Sequence, residues 1–246
     1  MITLGIDIGG SGIKGALVDI EKGEMVTDRL RIPTPQPAKP PAVIAVLKQI
    51  VDLFEYSGPV GVGLPGIVIN GTVFSAANID DDWLGFPGQQ AMAEVTGCPV
   101  TLANDADVAG VAEMRFGAGR EQAGTVMIFT LGTGIGSAVF VDGRLVPNTE
   151  LGHLYLRNQK KDAENYAAER IRDEKNLSWK RWGKRLNTYF QHIEFLFSPE
   201  LIIIGGGISK QHEEFLPFIK TRARMMPAEL RNEAGIVGAA VLAAES

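Results

Sequence analysis

The stretch Leu4–Asp19, LGIDIGGSGIKGALVD, decides the fold, because it joins two apolar strands through a glycine-rich reversal. Apolar residues alternate from Leu4 to Ile8 as in a buried strand, and Ala16–Val18 is typical of a second strand. Asp7 lies inside the first strand, where a carboxylate without a partner is costly. The glycines allow the backbone to approach a ligand and to point N–H groups at an anion, and Lys14 adds a positive charge. This combination predicts a metal–phosphate site, although Asp7 alone is also compatible with a satisfied core acid.

Two well-known nucleotide motifs do not fit this stretch. Residues Gly10–Gly15 match the G-x-G-x-x-G dinucleotide fingerprint in letters, but that fingerprint requires a helix to follow. Here a second strand follows, then the hairpin turn Glu21–Gly23 and a third strand predicted near Met25–Ile32. No G-x-x-x-x-G-K-[ST] sequence occurs, so a P-loop is excluded as well.

The composition of the 246 residues limits the class of protein. A net charge of −5 argues against general affinity for nucleic acid or membranes, so any basic surface must be local. The single cysteine, Cys98, excludes an internal disulfide and a multi-cysteine zinc site, and we expect it to be a buried thiol. No basic segment precedes an apolar run at the N-terminus, which predicts a cytoplasmic protein without a signal peptide.

The opening unit occurs twice, about 120 residues apart, which predicts a duplicated domain. In the second copy, Thr125–Leu131 is a strand, Gly132–Gly136 a glycine loop, and Ser137–Val141 and Arg144–Pro147 two further strands joined by an Asp-Gly turn. Later segments correspond too. The predicted pairs are the helices Pro41–Tyr56 and Trp179–Phe197, the strands Val60–Leu64 and Leu201–Ile204, and the turns Pro65-Gly66 and Gly205–Gly207.

Two further segments complete the prediction. A short strand, Pro99–Leu102, delivers Asn104 and Asp105 to the start of a helix that runs through Phe116, and a small-residue helix, Gly235–Ala244, closes the chain. Three meandering strands followed by alternating helices and strands predict a mixed sheet in each half, with ligands at the carboxyl ends of the strands. We therefore expect lobes 1–120 and 121–246 around a central cleft.

These motifs resemble the repressor–ORF–kinase (ROK) sugar kinases, members of the sugar-kinase and actin superfamily. The resemblance rests on DIGGSGIKG, LGTGIGSA, NDAD, ELGH and the Gly205–Gly207 turn, and it covers essentially the whole chain. It implies a duplicated ribonuclease H-like (actin-like ATPase) fold, phosphorylation of a sugar, Mg²⁺ as cofactor and a homodimer.

The resemblance also implies a role for each matching residue. Asp105 corresponds to the catalytic base and Asp7 to the acid that holds Mg²⁺, usually through water. The sugar-binding positions are Asn78, Asn104, Glu150, His153 and Glu164, together with the turn Pro65 and Gly66. The phosphate and donor positions are Gly9, Gly10, Ser11, Gly12, Lys14, Gly132, Thr133, Gly134, Gly205, Gly206 and Gly207.

One departure from the family is informative. ROK kinases usually carry a zinc-binding C-x-C-G-x-x-G-C segment after ELGH, whereas residues 158–163 here contain no cysteine, which predicts no zinc. That replacement, with SWKRWGKRL after it, resembles the polyphosphate-dependent glucokinase branch. Lys180, Arg181, Lys184 and Arg185 recur at helical spacing, opposite an apolar face formed by Trp182, Leu186, Tyr189 and Ile193. These cations form either a solvated face or a track for linear polyphosphate.

Several alternatives stay open at the level of the sequence. Asn104 and Asp105 suit a helix N-cap as well as catalysis, and Gly205–Gly207 suits either a strand–helix turn or donor binding. The favoured function is phosphorylation of glucose, or of mannose, by polyphosphate with or without ATP. The others are an ATP-dependent ROK hexokinase that lacks zinc, a sugar-sensing regulator, and a polyanion-binding module. Such regulators carry an N-terminal helix-turn-helix, whereas the kinase core here begins at Ile2, which favours an enzyme.

Overall fold

The computed structural model describes residues 1–157 and 159–246 and contains two compact units. The first comprises Met1–Ala112 with Glu233–Ser246, and the second comprises Glu113–Asn232. The strands are β1 (Ile2–Gly9), β2 (Gly12–Asp19), β3 (Glu24–Met25), β4 (Leu30–Ile32), β5 (Val60–Leu64), β6 (Val68–Ile69), β7 (Thr72–Val73), β8 (Val100–Asn104), β9 (Thr125–Leu131), β10 (Ile135–Val141), β11 (Arg144–Val146), β12 (Leu201–Gly205) and β13 (Arg224–Pro227). The α-helices are α1 (Pro40–Leu53), α2 (Gly88–Thr96), α3 (Asp105–Phe116), α4 (Ala163–Ala167), α5 (Glu169–Glu174), α6 (Trp179–Phe197), α7 (His212–Phe215) and α8 (Ala234–Ala244).

The first unit is built on a mixed sheet in the order β3-β2-β1-β5-β8, with β4 also paired to β2. Strands β1 and β2 are antiparallel, whereas β1, β5 and β8 run parallel. The predicted third strand is instead two short strands, β3 and β4. Between them the Thr27 hydroxyl accepts the Leu17 N–H at 3.1 Å, so a side chain replaces the backbone partner there and interrupts the ladder.

The second unit repeats this plan in a sheet of order β11-β10-β9-β12-β13. Strands β9, β10 and β11 form an antiparallel meander, and β12 pairs in parallel with β9 and with β13. The predicted mixed sheets, and the strand–loop–strand unit in each half, are confirmed. Strand β13, the hairpin β6–β7 and the helices α2, α4, α5 and α7 had no counterpart among the predicted elements.

The C-terminal helix α8 belongs to the first unit and not to the second, which differs from the expected grouping of residues 121–246. It lies directly against β1 and β5, where Gly5 and Gly61 face its backbone. A Cβ atom at Gly5 would collide with the Ile236 carbonyl, and one at Gly61 with the Ala239 carbonyl. Glycine in the sheet and small residues in α8 therefore permit a helix-to-sheet contact that larger side chains would prevent.

Each unit has its own apolar core. In the first, buried residues of α1 and of α2, including Met92, pack on the sheet, and Cys98 is buried as expected. In the second, the predicted apolar face of α6 is confirmed, and the Phe129 ring meets Tyr189 and Phe190 edge-on at centroid distances of 5.6 and 5.3 Å. Among the described residues, no helix combines the length and the apolar character that a bilayer span requires.

Candidate active site

In the first unit, Asp7 and Lys14 form an ion pair beside the first glycine loop. They are direct cross-strand partners on β1 and β2, so their side chains lie on the same face of the sheet. Lys14 Nζ is 2.8 Å from Asp7 Oδ2, and the side chains are 28% and 19% exposed. A Cβ at Gly235, in the first turn of α8, would lie 3.1 Å from Asp7 Cγ, so the positive end of that helix adjoins the carboxylate. Lys14 is thus the cation that the structure places beside Asp7, and Mg²⁺ at Asp7 stays a prediction.

The carbonyl groups of the first loop are held by side chains from β4 and the segment that follows it. Arg31 on β4 is the cross-strand neighbour of Lys14. The hydrogen bonds run from Thr34 Oγ1 to the Gly9 carbonyl, from Gln36 Nε2 to the Gly10 carbonyl at 3.2 Å, and from Arg31 Nη2 to the Ser11 carbonyl at 2.9 Å. None of these three side chains belongs to a motif recognisable in the sequence.

Asn78 backs the same loop. Its backbone has a φ of +62°, and a Cβ at Gly10 would lie 3.1 Å from the Asn78 Cβ and carbonyl oxygen. The close fit requires a small residue at position 10, and the Asn78 side chain itself is exposed. The structure thus brings a predicted sugar-binding residue against the predicted phosphate loop.

Asn104 caps helix α3 and ties it to the turn at Pro65-Gly66. Its Oδ1 accepts the N–H groups of Ala106 at 2.8 Å and Asp107 at 3.1 Å, and its Nδ2 donates to the Gly66 carbonyl at 3.1 Å. The residue is 6% exposed. The N-cap role considered from the sequence is therefore what Asn104 performs here. A sugar contact through its second Nδ2 hydrogen stays a prediction.

Asp105 opens α3 at the carboxyl edge of the first sheet. Strands β1, β5 and β8 are parallel and adjacent, so the ends that carry Asp7, Pro65-Gly66 and Asn104-Asp105 meet at one edge. Asp105 is half-buried, and its Oδ1 accepts the Ala106 N–H at 2.8 Å. The predicted base, the predicted metal-binding acid and the first glycine loop thus share one edge.

In the second unit, the loop Gly132–Gly134 is held by residues of helices α4 and α5, which lie further along the chain. Glu164 Oε2 accepts the Ile135 N–H at 3.0 Å, and a Cβ at Gly134 would collide with that carboxylate. The Arg170 backbone N–H donates to the Gly132 carbonyl at 3.2 Å, and its Nε donates to the Thr133 carbonyl at 3.0 Å. The predicted sugar-binding Glu164 is therefore in direct contact with the predicted phosphate loop.

The turn Gly205–Gly207 lies at the same edge of the second sheet, because β12 and β9 are parallel and Gly205 pairs with Thr130. Gly206 has a φ of +83°, and a Cβ there would collide with the Leu131 backbone. Nothing lies within 4 Å of a Cβ placed on Gly207. Gly206 thus has a structural reason to be glycine, whereas Gly207 faces open space.

Three acidic side chains lie near His153, which belongs to the short 3-10 turn Leu151–His153. Its Nδ1 is 3.1 Å from Asp162 Oδ2. The hydrogen bond to Asp162 is the largest influence on the ring and raises its pKa, burial opposes this, and the charges of Glu164, Glu150 and Asp162 add to the rise. Burial raises the pKa of Glu150, and the nearby Glu164 adds to that shift while His153 opposes it.

The pKa of Asp162 shifts in the opposite direction, below its ordinary value. Burial, the largest single influence, raises its pKa, but hydrogen bonds from Asn165 and His153 together bring it below the ordinary value. Asp162 is also the N-cap of α4, since its Oδ1 accepts the Asn165 N–H at 2.9 Å. Of the replaced zinc segment, Asn158 lies outside the described residues.

The four cations predicted on α6 do not behave alike. Lys180, Arg181 and Lys184 are exposed, and their side chains make no hydrogen bond or ion pair with any residue that the structure describes. Arg185 is half-buried. Its Nη1 donates to the Tyr166 carbonyl at 2.9 Å, and its guanidinium lies 5.0 Å from the centre of that ring. We therefore define the basic surface of α6 as Lys180, Arg181 and Lys184.

The functional contacts that sequence reasoning missed come mostly from long-range partners. Arg31, Thr34 and Gln36 bond to loop residues 20 to 26 positions away, and Arg170 bonds to a residue 37 positions away. The role of Asp162 could have been found from the sequence, because an aspartate directly before a helix is typical of an N-cap.

No group of three or more His, Cys, Asp or Glu side chains able to hold a metal ion occurs within residues 1–157 and 159–246. The single carboxylate Asp7 nevertheless fits a hard cation. Mg²⁺ is typically held by one or two carboxylates, with substrate phosphates and water completing its octahedron.

Comparison with known proteins identifies the family. The family model described as "ROK family" matches residues 3–170. The polyphosphate glucokinase of Mycobacterium tuberculosis (strain ATCC 25618 / H37Rv) is 45% identical over 238 residues, which is 96% of this chain and 89% of that protein.

Two crystal structures are also similar to this chain. The inorganic polyphosphate/ATP-glucomannokinase from Arthrobacter sp. strain KM superposes with a TM-score of 0.93 at 49% identity, covering 99% of this chain and 98% of that one. A ROK family glucokinase from Streptomyces griseus, in complex with glucose and AMPPNP, superposes with a TM-score of 0.86 at 25% identity and covers both chains fully (100%). With the glycine loops, the Asn104-Asp105 pair and the ELGH segment in place, the chain belongs to the ROK family.

Proposed function

We propose that the protein transfers a phosphoryl group from inorganic polyphosphate to glucose, forming glucose 6-phosphate. The observation that carries this proposal is the shared edge of the first sheet, where Asp105, the Asp7–Lys14 pair and the first glycine loop come together. The two relatives that are 45% and 49% identical support it, because both are named for phosphorylation of a sugar with polyphosphate.

Asp105 acts as the general base. As the 6-hydroxyl of glucose attacks the terminal phosphorus, its proton passes to the Asp105 carboxylate, and the shortened polyphosphate leaves with the electron pair of the broken P–O bond. Such a base contributes about 10²–10⁴-fold. Its position in the first turn of α3 suits an ionised carboxylate, because the positive end of the helix dipole lies there.

The two glycine loops hold the phosphate groups. Carbonyl groups of both loops are engaged by other parts of the protein, so the loops can turn N–H groups to the donor. Lys14 supplies a positive charge beside the first loop. Since phosphoryl transfer depends mainly on positioning and neutralisation of charge, these groups meet its main requirements.

Mg²⁺ fits the carboxylate of Asp7, one oxygen of which is engaged by Lys14. When bound, the ion neutralises negative charge on the phosphates. Asp7 is held in place for this role by Lys14 and by its contact with the start of α8.

In each unit, hydrogen-bonding side chains suit a sugar. His153, Glu150 and Glu164 lie together in the second unit, and Asn78 and Asn104 belong to the first; such side chains are the donors and acceptors that a polyol requires. The name of the Arthrobacter relative indicates mannose as a second sugar for that enzyme, and we extend this to the present protein.

The donor is assigned from the basic surface of α6. Lys180, Arg181 and Lys184 carry three positive charges with no anionic partner in the described part of the chain. In a protein of net charge −5, such a surface suits a linear polyanion, which binds by releasing counterions. ATP remains the second candidate donor, because Gly207 borders open space in which a nucleoside could lie and the Arthrobacter relative is named for both donors.

An assay of the purified protein separates the classes of function. Glucose or mannose is combined with Mg²⁺ and either polyphosphate or ATP, and sugar 6-phosphate is measured. We expect glucose 6-phosphate with polyphosphate. A protein that binds glucose calorimetrically but forms no product with either donor would be a sugar sensor, and one that binds only polyphosphate would be a polyanion-binding module.

A further inference from the structure

A continuous chain of hydrogen bonds connects the sugar-binding histidine with the second glycine loop. It begins at His153, whose Nδ1 is 3.1 Å from Asp162 Oδ2. Asp162 Oδ1 accepts both the N–H of Asn165 at 2.9 Å and its Nδ2 at 2.8 Å. Arg170 Nη2 then donates to Asn165 Oδ1 at 3.2 Å, and Arg170 Nε donates to the Thr133 carbonyl at 3.0 Å.

Every polar atom of the two central side chains is occupied. Both oxygens of Asp162 accept hydrogen bonds, and the amide of Asn165 both donates and accepts. The remaining Arg170 nitrogen, Nη1, is 3.2 Å from Glu174. The Asp162 side chain is 15% exposed and that of Arg170 is 34% exposed, so solvent competes only partly with the bonds between them, whereas the His153 side chain at the end of the chain is 59% exposed.

This chain of hydrogen bonds connects segments that lie far apart in sequence. His153 lies in a 3-10 turn after β11, and Thr133 lies between β9 and β10. Asp162, Asn165 and Arg170 come from the cap of α4, from α4 itself and from α5. A backbone bridge between Tyr155 and Asp162 is a further tie between the histidine segment and the cap.

We propose that Asp162, Asn165 and Arg170 form a polar bridge that positions His153 for the sugar and the Gly132–Gly134 loop for the donor as one rigid element. The functional half of this inference rests on the proposed sugar kinase activity. The three are positioning residues, because they act through His153 and through the loop carbonyls.

The bridge also sets the chemistry of the His153 ring. A carboxylate at Nδ1 fixes the proton on that nitrogen, so Nε2 is left for the sugar as an acceptor in the neutral ring and as a donor in the charged ring. The groups that face the ring are Asp162, Glu150 and Glu164, all acidic. Among them only Asp162 is hydrogen-bonded to the ring.

The first test follows the ring by NMR and does not depend on activity. The chain contains three histidines, so the ring signals of His153, His192 and His212 can be assigned and titrated in the full-length protein. In Asp162→Asn the asparagine still caps α4 but carries no charge. We expect the pKa of His153 to fall while those of His192 and His212 stay the same.

Asp173→Asn is the matched control, because Asp173 is an exposed aspartate of α5 outside the bridge, paired with Arg172. It should leave the pKa of His153 unchanged. An unchanged His153 in Asp162→Asn, or an equal shift in Asp173→Asn, would overturn the bridge. If Asp162→Asn does not fold, Asn165→Ala breaks the same chain without removing a charge, and it should also move the His153 signal.

The second test asks whether His153 and the Gly132–Gly134 loop, the two ends of the bridge, are coupled. Arg170→Met should move the His153 ring signal although the two side chains do not touch, and Asp162→Asn should raise the KM for polyphosphate as well as that for glucose, each by about tenfold, the equivalent of one hydrogen bond. The double variant should lose less than the product of the two single effects.

Independent effects, with Asp162→Asn changing only the glucose KM and Arg170→Met only the donor KM, would contradict the bridge.

The proposed function and the polar bridge can fail separately. A wild type that makes no sugar phosphate would refute the proposed function while the NMR titration still decides the bridge. Normal wild-type turnover with variants that match Asp173→Asn would refute the bridge alone.

Discussion

The two glycine loops have the same backbone plan but are held in different ways. The carbonyls of the first loop are bound by Arg31, Thr34 and Gln36, which lie together in the segment that follows β2. The second loop is bound by Arg170 and Glu164, which come from helices about 30 residues further along the chain. The two halves of the repeat therefore share the glycine loop but not the side chains that hold it.

This difference has a functional consequence. Each loop adjoins a predicted sugar ligand, but in a different way: Asn78 only packs against the first loop at Gly10, whereas Glu164 is hydrogen-bonded to the second, and Arg170 there leads to His153. We therefore expect a disturbance of the second loop to affect sugar binding more strongly than a disturbance of the first.

The largest expected effect concerns Asp105. Strand β8 ends at Asn104 and leads directly into Asp105, whereas β13, which takes the equivalent place in the second sheet, ends at Pro227. Asp105→Asn should lower kcat by about 10²-fold or more with little change in glucose affinity, because the base acts in the transition state. Steady-state kinetics and calorimetric glucose binding measure the two parts. Near-normal kcat would remove the base assignment.

The next effect compares the loops directly. Gly134→Ala places a methyl group on the Glu164 carboxylate, and Gly10→Ala places one 3.1 Å from Asn78 Cβ. Gly134→Ala should raise the glucose KM about tenfold, since it displaces a charged hydrogen-bonding group, and Gly10→Ala should raise it only a few-fold. Equal glucose KM values in the two variants would mean that the loops are not supported differently.

The basic surface of α6 belongs to the second unit alone. Reversing Lys180, Arg181 and Lys184 to Glu should raise the polyphosphate KM about tenfold or more and flatten its dependence on salt, because fewer counterions are released. The glucose KM should hardly change. Arg185→Gln is a useful comparison, because Arg185 is engaged by Tyr166 and should affect stability more than salt dependence. An unaltered salt dependence would assign these cations to a solvated face.

The smallest effect concerns stability and pH. The second unit groups Glu150 with Glu164, whereas Asp7 in the first unit is paired with Lys14. Because the pKa of Glu150 in the folded state is raised above 4.5, ionisation of this group destabilises the fold as pH rises through and above that value. Glu150→Gln should therefore raise the melting temperature at pH 7 by roughly 1–3 °C. The gain in melting temperature should vanish below pH 4, where Glu150 is protonated in both the folded and the unfolded state. A gain that persists there would contradict the account.

The sequence was most informative where the signal is local. Alternating apolar residues and glycines located β1, β5 and β9 and the turns beside them, and helical periodicity located α6 from Trp179 to Phe197. The C-terminal helix was located as well, but not its place on the first sheet. That place depends on two glycines, Gly5 and Gly61, far from it in sequence.

The site shows the same division. Residues in recognisable motifs, such as Asp7, Lys14 and His153, could be named from the sequence. The side chains that hold the glycine loops, Arg31 and Arg170 in particular, lie outside any motif, and their role depends on which strands and helices become neighbours. The difference between Arg185 and the other cations of α6 depends likewise on where Tyr166 lies.

The central claim is that polyphosphate is the donor, and a side-by-side measurement of kcat/KM for polyphosphate and ATP tests it most directly. Purified wild-type protein is assayed with saturating glucose and Mg²⁺, and glucose 6-phosphate is followed while gel electrophoresis records the length of the polyphosphate. The account predicts a higher kcat/KM with polyphosphate and one phosphate lost from the chain for each glucose 6-phosphate formed. Product formation with ATP but not with polyphosphate would contradict it.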